Sequence, residues 1–135
     1  MPLMPNMAPI LPARLWHNPS MDERRVELVL RAAECIPPGS VAPYSMLARI
    51  TGTTARYVGK VMAEHGSFVP WWRVTNVRGE LPAAIRSRAA EHWHDEGIPH
   101  RDGRVDLPSA AADEHELRRC WLKRSADLWE QGEPG

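Results

Sequence analysis

The spacing of two short helix patterns around Gly52 constrains this chain more than any other feature. Over residues 44–50, Met46, Leu47 and Ile50 fall on one helical face. Gly52 can take the left-handed turn that ends a helix, and Thr53 stands as the N-cap of a second helix reaching residue 65. Helices joined this tightly form a helix-turn-helix. On the second helix Val58, Val61 and Met62 gather on one side and are expected in the core. That turns Arg56, Gly59 and Lys60 towards solvent or DNA, with Gly59 permitting close backbone approach.

The flanks are punctuated in the same way. Ser20-Met21-Asp22-Glu23 fits a capping box, opening a helix to about residue 35 with Val26, Val29, Leu30 and Ala33 as its buried stripe. Pro37-Pro38-Gly39 stops it. Residues 71–75 read as an extended stretch, 77–80 as a turn or wing, and 83–95 as a helix with Ile85, Ala89 and Trp93 on one side. Gly97 ends that helix, and Gly103 marks a hairpin-like turn. Residues 113–129 predict a single amphipathic helix whose Leu117, Trp121, Leu128 and Trp129 are expected to pack on the core, the alternative being a partner surface. Pro2, Pro5, Pro9, Pro12 and Pro19 interrupt residues 1–19 too often for a helix, so a flexible leader is expected. The expected organisation is that leader, one compact domain over 20–109 and a C-terminal helical extension over 110–135. The fold class is mainly α with short β elements.

At 135 residues and 43% hydrophobic content the chain supports one core rather than two. No apolar run approaches the roughly 20 residues that span a bilayer. The start lacks the basic and unbroken apolar regions of a signal peptide, so a soluble intracellular protein is expected. Cys35 and Cys120 lie far apart with no CxxC pair; two reduced, packed thiols are expected, with neither a disulfide framework nor a zinc ribbon. His92 and His94, two apart, point to different faces of a helix, and no metal site is expected. The net charge of zero hides an uneven distribution. Residues 43–88 carry seven basic side chains (Arg49, Arg56, Lys60, Arg73, Arg78, Arg86, Arg88) against Glu64 and Glu80, a local balance of +5 that leaves −5 for the remainder. Such a module can engage phosphates while the molecule stays neutral, although an ordinary solvated face would look the same.

Pro70-Trp71-Trp72-Arg73-Val74 resembles the Pro-Cys-His-Arg-Val loop of the O6-alkylguanine-DNA alkyltransferases, with Trp71 at the reactive Cys and Trp72 at the adjacent His. The likeness extends from Ile36 to about Gly97. Ile36-Pro37-Pro38-Gly39-Ser40-Val41-Ala42-Pro43-Tyr44-Ser45-Met46-Leu47-Ala48 resembles the family's turn, short strand and first DNA-binding helix. Ala55-Arg56-Tyr57-Val58-Gly59-Lys60-Val61-Met62-Ala63 resembles its recognition helix. Trp in place of the reactive Cys marks the alkyltransferase-like proteins. The double Trp, followed by Gly97-Ile98-Pro99-His100-Arg101-Asp102-Gly103-Arg104-Val105-Asp106-Leu107, is most similar to the bacterial ones.

This resemblance implies a winged helix-turn-helix like the C-terminal domain of the alkyltransferases, acting without catalysis. An imidazole-activated thiolate can attack carbon; an indole offers one N–H donor and no usable nucleophile. The family role implied is to bind duplex DNA containing O6-alkylguanine, flip the base and pass it to nucleotide excision repair proteins. No cofactor, no catalytic residue and no membrane are implied, and a monomer in the bacterial cytoplasm, on the nucleoid when bound, is expected. By position Arg56 becomes the finger that fills the vacated stack, and Tyr44 presses on the phosphate 3′ to the flipped base. Gly59, Lys60 and Arg73 complete the DNA contacts, and Trp71, Trp72 and Val74 line the lesion pocket. Trp71 as core filler and Arg56 as an ordinary surface arginine remain open alternatives. So does a different function, a winged-helix transcription regulator bound to a defined operator.

Three departures from the family pattern bear on the site. His65 stands where the family has Asn. Glu96 matches a Glu that supports the missing His, and so is expected to lose that purpose and pair locally. The stretch 79–85 is shorter than the family's binding loop, leaving Arg78 and Arg86 as candidates to close the pocket.

Overall fold

The computed structural model describes residues 20–132, with side chains through Trp129; the expected leader at 1–19 lies outside the described residues. Helix α1 (Met21–Glu34) opens on the expected capping box. The Ser20 hydroxyl accepts from the Glu23 N–H at 3.1 Å, and the Ser20 N–H donates to the Glu23 carboxylate at 2.8 Å. Its face of Val29, Leu30, Ala32 and Ala33 is buried. After the Pro37–Pro38 stop the chain enters β1 (Ala42–Pro43) and then α2 (Tyr44–Thr51), which Gly52 ends in the left-handed region at φ 73°.

Helix α3 (Ala55–His65) follows at once, completing the helix-turn-helix. Its cap is Thr54 rather than Thr53: the Thr54 hydroxyl accepts from the Tyr57 N–H at 3.0 Å, while the Thr53 hydroxyl is 2.9 Å from that of Thr51 and stays within the turn. Val58 and Val61 are buried as expected, and Met62 partly so. Residues 71–75 are not uniformly extended. Trp71–Arg73 form a 3-10 turn in which the Arg73 N–H donates to the Pro70 carbonyl at 3.1 Å. Only β2 (Val74–Thr75) is a strand, paired in parallel with β1 (Ala42 with Val74, Pro43 with Thr75).

Asn76 to Glu80 closes a tight turn whose Gly79 lies flat on the backbone of residue 105; a Cβ on Gly79 would stand within 2.3 Å of the Val105 carbonyl oxygen. A 3-10 turn at Ala83–Ile85 leads into α4 (Arg86–Glu96), ended by Gly97. Strands β3 (His100–Arg101) and β4 (Arg104–Val105) make a hairpin around Asp102 and Gly103, both at positive φ.

The C-terminal part departs from the single helix expected. The chain forms α5 (Leu107–Ala110), α6 (Glu114–Arg124) and α7 (Ala126–Gly132), breaking at buried Ser125. The break has a cause: Arg31 of α1 donates to the Arg124 carbonyl at 2.8 Å and pairs with Asp127 at 2.5 Å, bending the chain so that Leu128 turns into the core. Leu117 and Trp121 are buried against α1 and α2, and Trp129 remains 48% exposed.

Cys35 and Cys120 are not free thiols. They form a disulfide, because α6 lies along α1 and sets the two Cα atoms 5.9 Å apart despite a sequence separation of 85. Linear spacing carries no trace of that approach.

Two apolar clusters result. One joins α1, α2, α3 and α6; the other gathers Val41, Leu81, Ala89, Trp93, Ile98, Val105 and Ala110, with Trp71 and Trp72 packed at its edge. Among the described residues no helix is long and apolar enough to cross a membrane.

Candidate nucleic-acid interface

Helix α3 turns Arg56 and Lys60 outward. Both are exposed, and neither makes an ion pair among the described residues. Tyr44, the first residue of α2, is half-buried with its ring over α3. A Cβ built on Gly59 would meet that ring at 3.7 Å. The outer side of Gly59 is therefore partly covered by Tyr44 instead of being open to a ligand, and the tyrosine is fixed at the junction of the two helices. Burial raises the Tyr44 phenol above its usual pKa, so it remains a neutral donor through the physiological range.

Arg73, expected on DNA, is committed elsewhere. Its side chain is 12% exposed, and its guanidinium pairs with Glu96 at 2.6 Å and donates to the Ile36 carbonyl at 2.9 Å. Glu96 in turn accepts from the Gly39 N–H at 3.0 Å and from the Trp72 indole N–H at 2.9 Å. It pairs locally, as expected, and the Trp72 indole N–H in addition gives the carboxylate a donor at residue 72. Burial pushes the Glu96 carboxyl up, but hydrogen bonds from Arg73, Gly39 and Trp72 and the charge of Arg73 outweigh it and hold the group below the usual carboxylate range.

Val74 is fully buried in β2 and cannot line an open pocket; its pairing with Ala42 across the sheet points it into the core. Trp71 and Trp72 are half-buried, perpendicular to each other at 87° with ring centroids 5.6 Å apart. Helix α4 backs them. The Trp93 indole N–H donates to the Trp72 carbonyl at 2.7 Å, His92 stacks on Trp72, and the Arg88 guanidinium lies 5.5 Å from the Trp71 ring centroid. Of the two candidates for closing the pocket, Arg86 is engaged with the Leu81 carbonyl at 2.8 Å and Arg78 is exposed. His65 is half-buried and lines a groove of about 390 Å³ with Val26, Leu30 and Phe68.

Arg88 and His92 are the site residues that the motif comparison does not single out. Their signal is the spacing Arg88, His92, Glu96, a stripe at i, i+4, i+8 directly beside the apolar stripe Ile85, Ala89, Trp93. One stripe packs the second cluster while the other faces the tryptophan pair.

Comparisons with known proteins bear on the family and the fold. Residues 25–97 match the family model of the 6-O-methylguanine DNA methyltransferase, DNA binding domain. A "DNA base-flipping protein" of Vibrio parahaemolyticus serotype O3:K6 (strain AQ3810) is 36% identical over 69 residues, covering 47% of this chain and 69% of the relative. The crystal structure of S. pombe Atl1 in complex with damaged DNA containing O6-carboxymethylguanine superposes with a TM-score of 0.57 at 29% identity, covering 70% of this chain and 99% of Atl1. By sequence match, by helix-turn-helix architecture and by fold, the chain belongs to the 6-O-methylguanine DNA methyltransferase DNA-binding-domain family, as an alkyltransferase-like protein.

Proposed function

We propose that this protein is a non-enzymatic sensor of alkylated guanine in duplex DNA. The observation that carries the reading is the perpendicular Trp71–Trp72 pair at the end of the loop joining α3 to β2, beside a recognition helix with two uncommitted cations. Relatives named for base flipping and for a complex with O6-carboxymethylguanine DNA support it. In this reading Arg56 enters the stack where the nucleotide leaves, Tyr44 bears on the neighbouring phosphate and Lys60 contacts the backbone. The lesion rests against Trp71. Extruding a base costs a few kcal/mol, and stacking on an aromatic wall returns about 1–3 kcal/mol, so a base already weakened in pairing is the one retained.

Alkyl transfer has no agent at this site. Both indoles lack a nucleophile, and the two cysteines are bonded to each other. The protein acts in this reading as a monomer that passes the marked site to nucleotide excision repair. Measuring affinity for one duplex with and without a single O6-methylguanine tests the proposal. Tighter binding of the modified duplex with no gain in protein mass is expected; equal binding of both, with preference for one operator sequence, would favour a transcription regulator instead.

A further inference from the structure

His92 is the side chain through which α4 touches both tryptophan rings. Its imidazole stacks on Trp72 with centroids 3.8 Å apart and planes 8° from parallel, and it meets Trp71 edge-on at 5.6 Å and 83°. Arg88 reaches the ring of Trp71 and Glu96 the indole N–H of Trp72. Trp72 is thus held through its ring by His92 and by the Arg73 guanidinium, 5.5 Å from the centroid, through its indole N–H by Glu96 and through its carbonyl by Trp93. Trp71 makes no indole hydrogen bond among the described residues; its attitude is set by the two rings standing at right angles to it and by the Arg88 guanidinium.

We propose that His92 is a positioning residue for lesion recognition: by stacking on Trp72 it fixes the plane against which Trp71 stands, and so sets the shape of the wall that a flipped base meets. This rests on the sensor reading above. The contact needs a flat ring, since an aliphatic side chain of similar volume can fill the space without imposing a plane.

The experiment compares His92→Phe with His92→Leu in the full chain. It reads the near-ultraviolet circular dichroism arising from the tryptophans, the thermal midpoint, and the ratio of affinities for an O6-methylguanine duplex and its unmodified counterpart. His92→Phe should keep the spectrum and the ratio. His92→Leu should lose the band that Trp71→Phe also removes and lower the ratio by about threefold to tenfold, the range expected of an aromatic pair. If His92→Leu does not fold, His92→Gln carries the same comparison. Retention of both spectrum and ratio in the non-aromatic variant would overturn the proposal, as would equal losses in both variants tracking the thermal midpoint. A wild-type ratio of one would sink the sensor reading itself, and the spectra would then decide alone whether His92 orients the pair.

Discussion

Replacing Glu96 with glutamine removes one charge from a carboxylate that binds three separate parts of the fold. Its partners are the Arg73 guanidinium at 2.6 Å, the Trp72 indole N–H at 2.9 Å and the Gly39 N–H at 3.0 Å. Arg73 and Glu96 are 12% and 15% exposed, so their attraction is only weakly screened. Breaking a buried pair by removing one partner costs about 3–5 kcal/mol. Glutamine keeps an acceptor oxygen, and Arg73 keeps the Ile36 carbonyl, so a loss of about 2 kcal/mol is expected for Glu96→Gln and about 3 kcal/mol for Glu96→Ala. The pH dependence gives an independent check. Because the folded-state pKa of Glu96 is depressed, its contribution is present above the unfolded carboxylate value of about 4.3 and is lost as pH falls through the folded value. Urea unfolding of wild type and Glu96→Gln should therefore differ most near neutrality, with the gap closing in acid. A gap that is the same at every pH would show that the carboxylate charge is not what holds these elements together.

Arg56→Ala should abolish nucleotide extrusion, read as the loss of the fluorescence rise of 2-aminopurine at the flip site; undiminished extrusion would remove Arg56 from the stack. Trp71→Ala should erase about 1–3 kcal/mol of preference for the modified duplex while leaving unmodified affinity nearly intact, and a full preference in that variant would make the indole core filler. Of the seven basic residues in 43–88, Arg49, Arg73 and Arg86 are committed to Glu114, Glu96 and the Leu81 carbonyl. About four phosphate contacts therefore remain, for a log–log salt slope near −3.6, and Lys60→Ala should reduce it by about one unit. Reducing the Cys35–Cys120 bond, which closes a loop of 85 residues, should destabilise the fold by about 4.6 kcal/mol in the chain-entropy account; a denaturant midpoint indifferent to reductant would mean the bond does not form in solution.

Local chemistry made much of this legible. The Ser20 box, the Gly52 and Gly97 stops and the buried stripes of α1 and α3 depend on residues a few positions apart, and each recurs in the structure. What escaped depends on residues distant in sequence. The break at Ser125 follows from Arg31, the disulfide from the packing of α6 on α1, and the capture of Arg73 from a glutamate 23 positions later. The motif located Trp71 and Trp72 but not the ring of His92 behind them, since side-by-side stripes on α4 have distinct meanings only once the tryptophans are in place. Val74 was misread for the same reason: adjacency to the tryptophans in sequence does not decide which side of a strand faces the core.

The match to the family model ends at residue 97, yet the folded unit does not. Helices α6 and α7 reach back to the first helix through the disulfide, the Arg31 pairs and the Trp121 indole N–H, which donates to the Leu28 carbonyl at 2.9 Å. Arg49 and Glu114 add a tie from α2. Truncation after Ala110 would strip Leu117, Trp121 and Leu128 from the core at once and leave Arg31 in α1 without Asp127. The border of the family match and the border of the cooperative unit thus differ here: the matched segment should melt together with the helices that follow it.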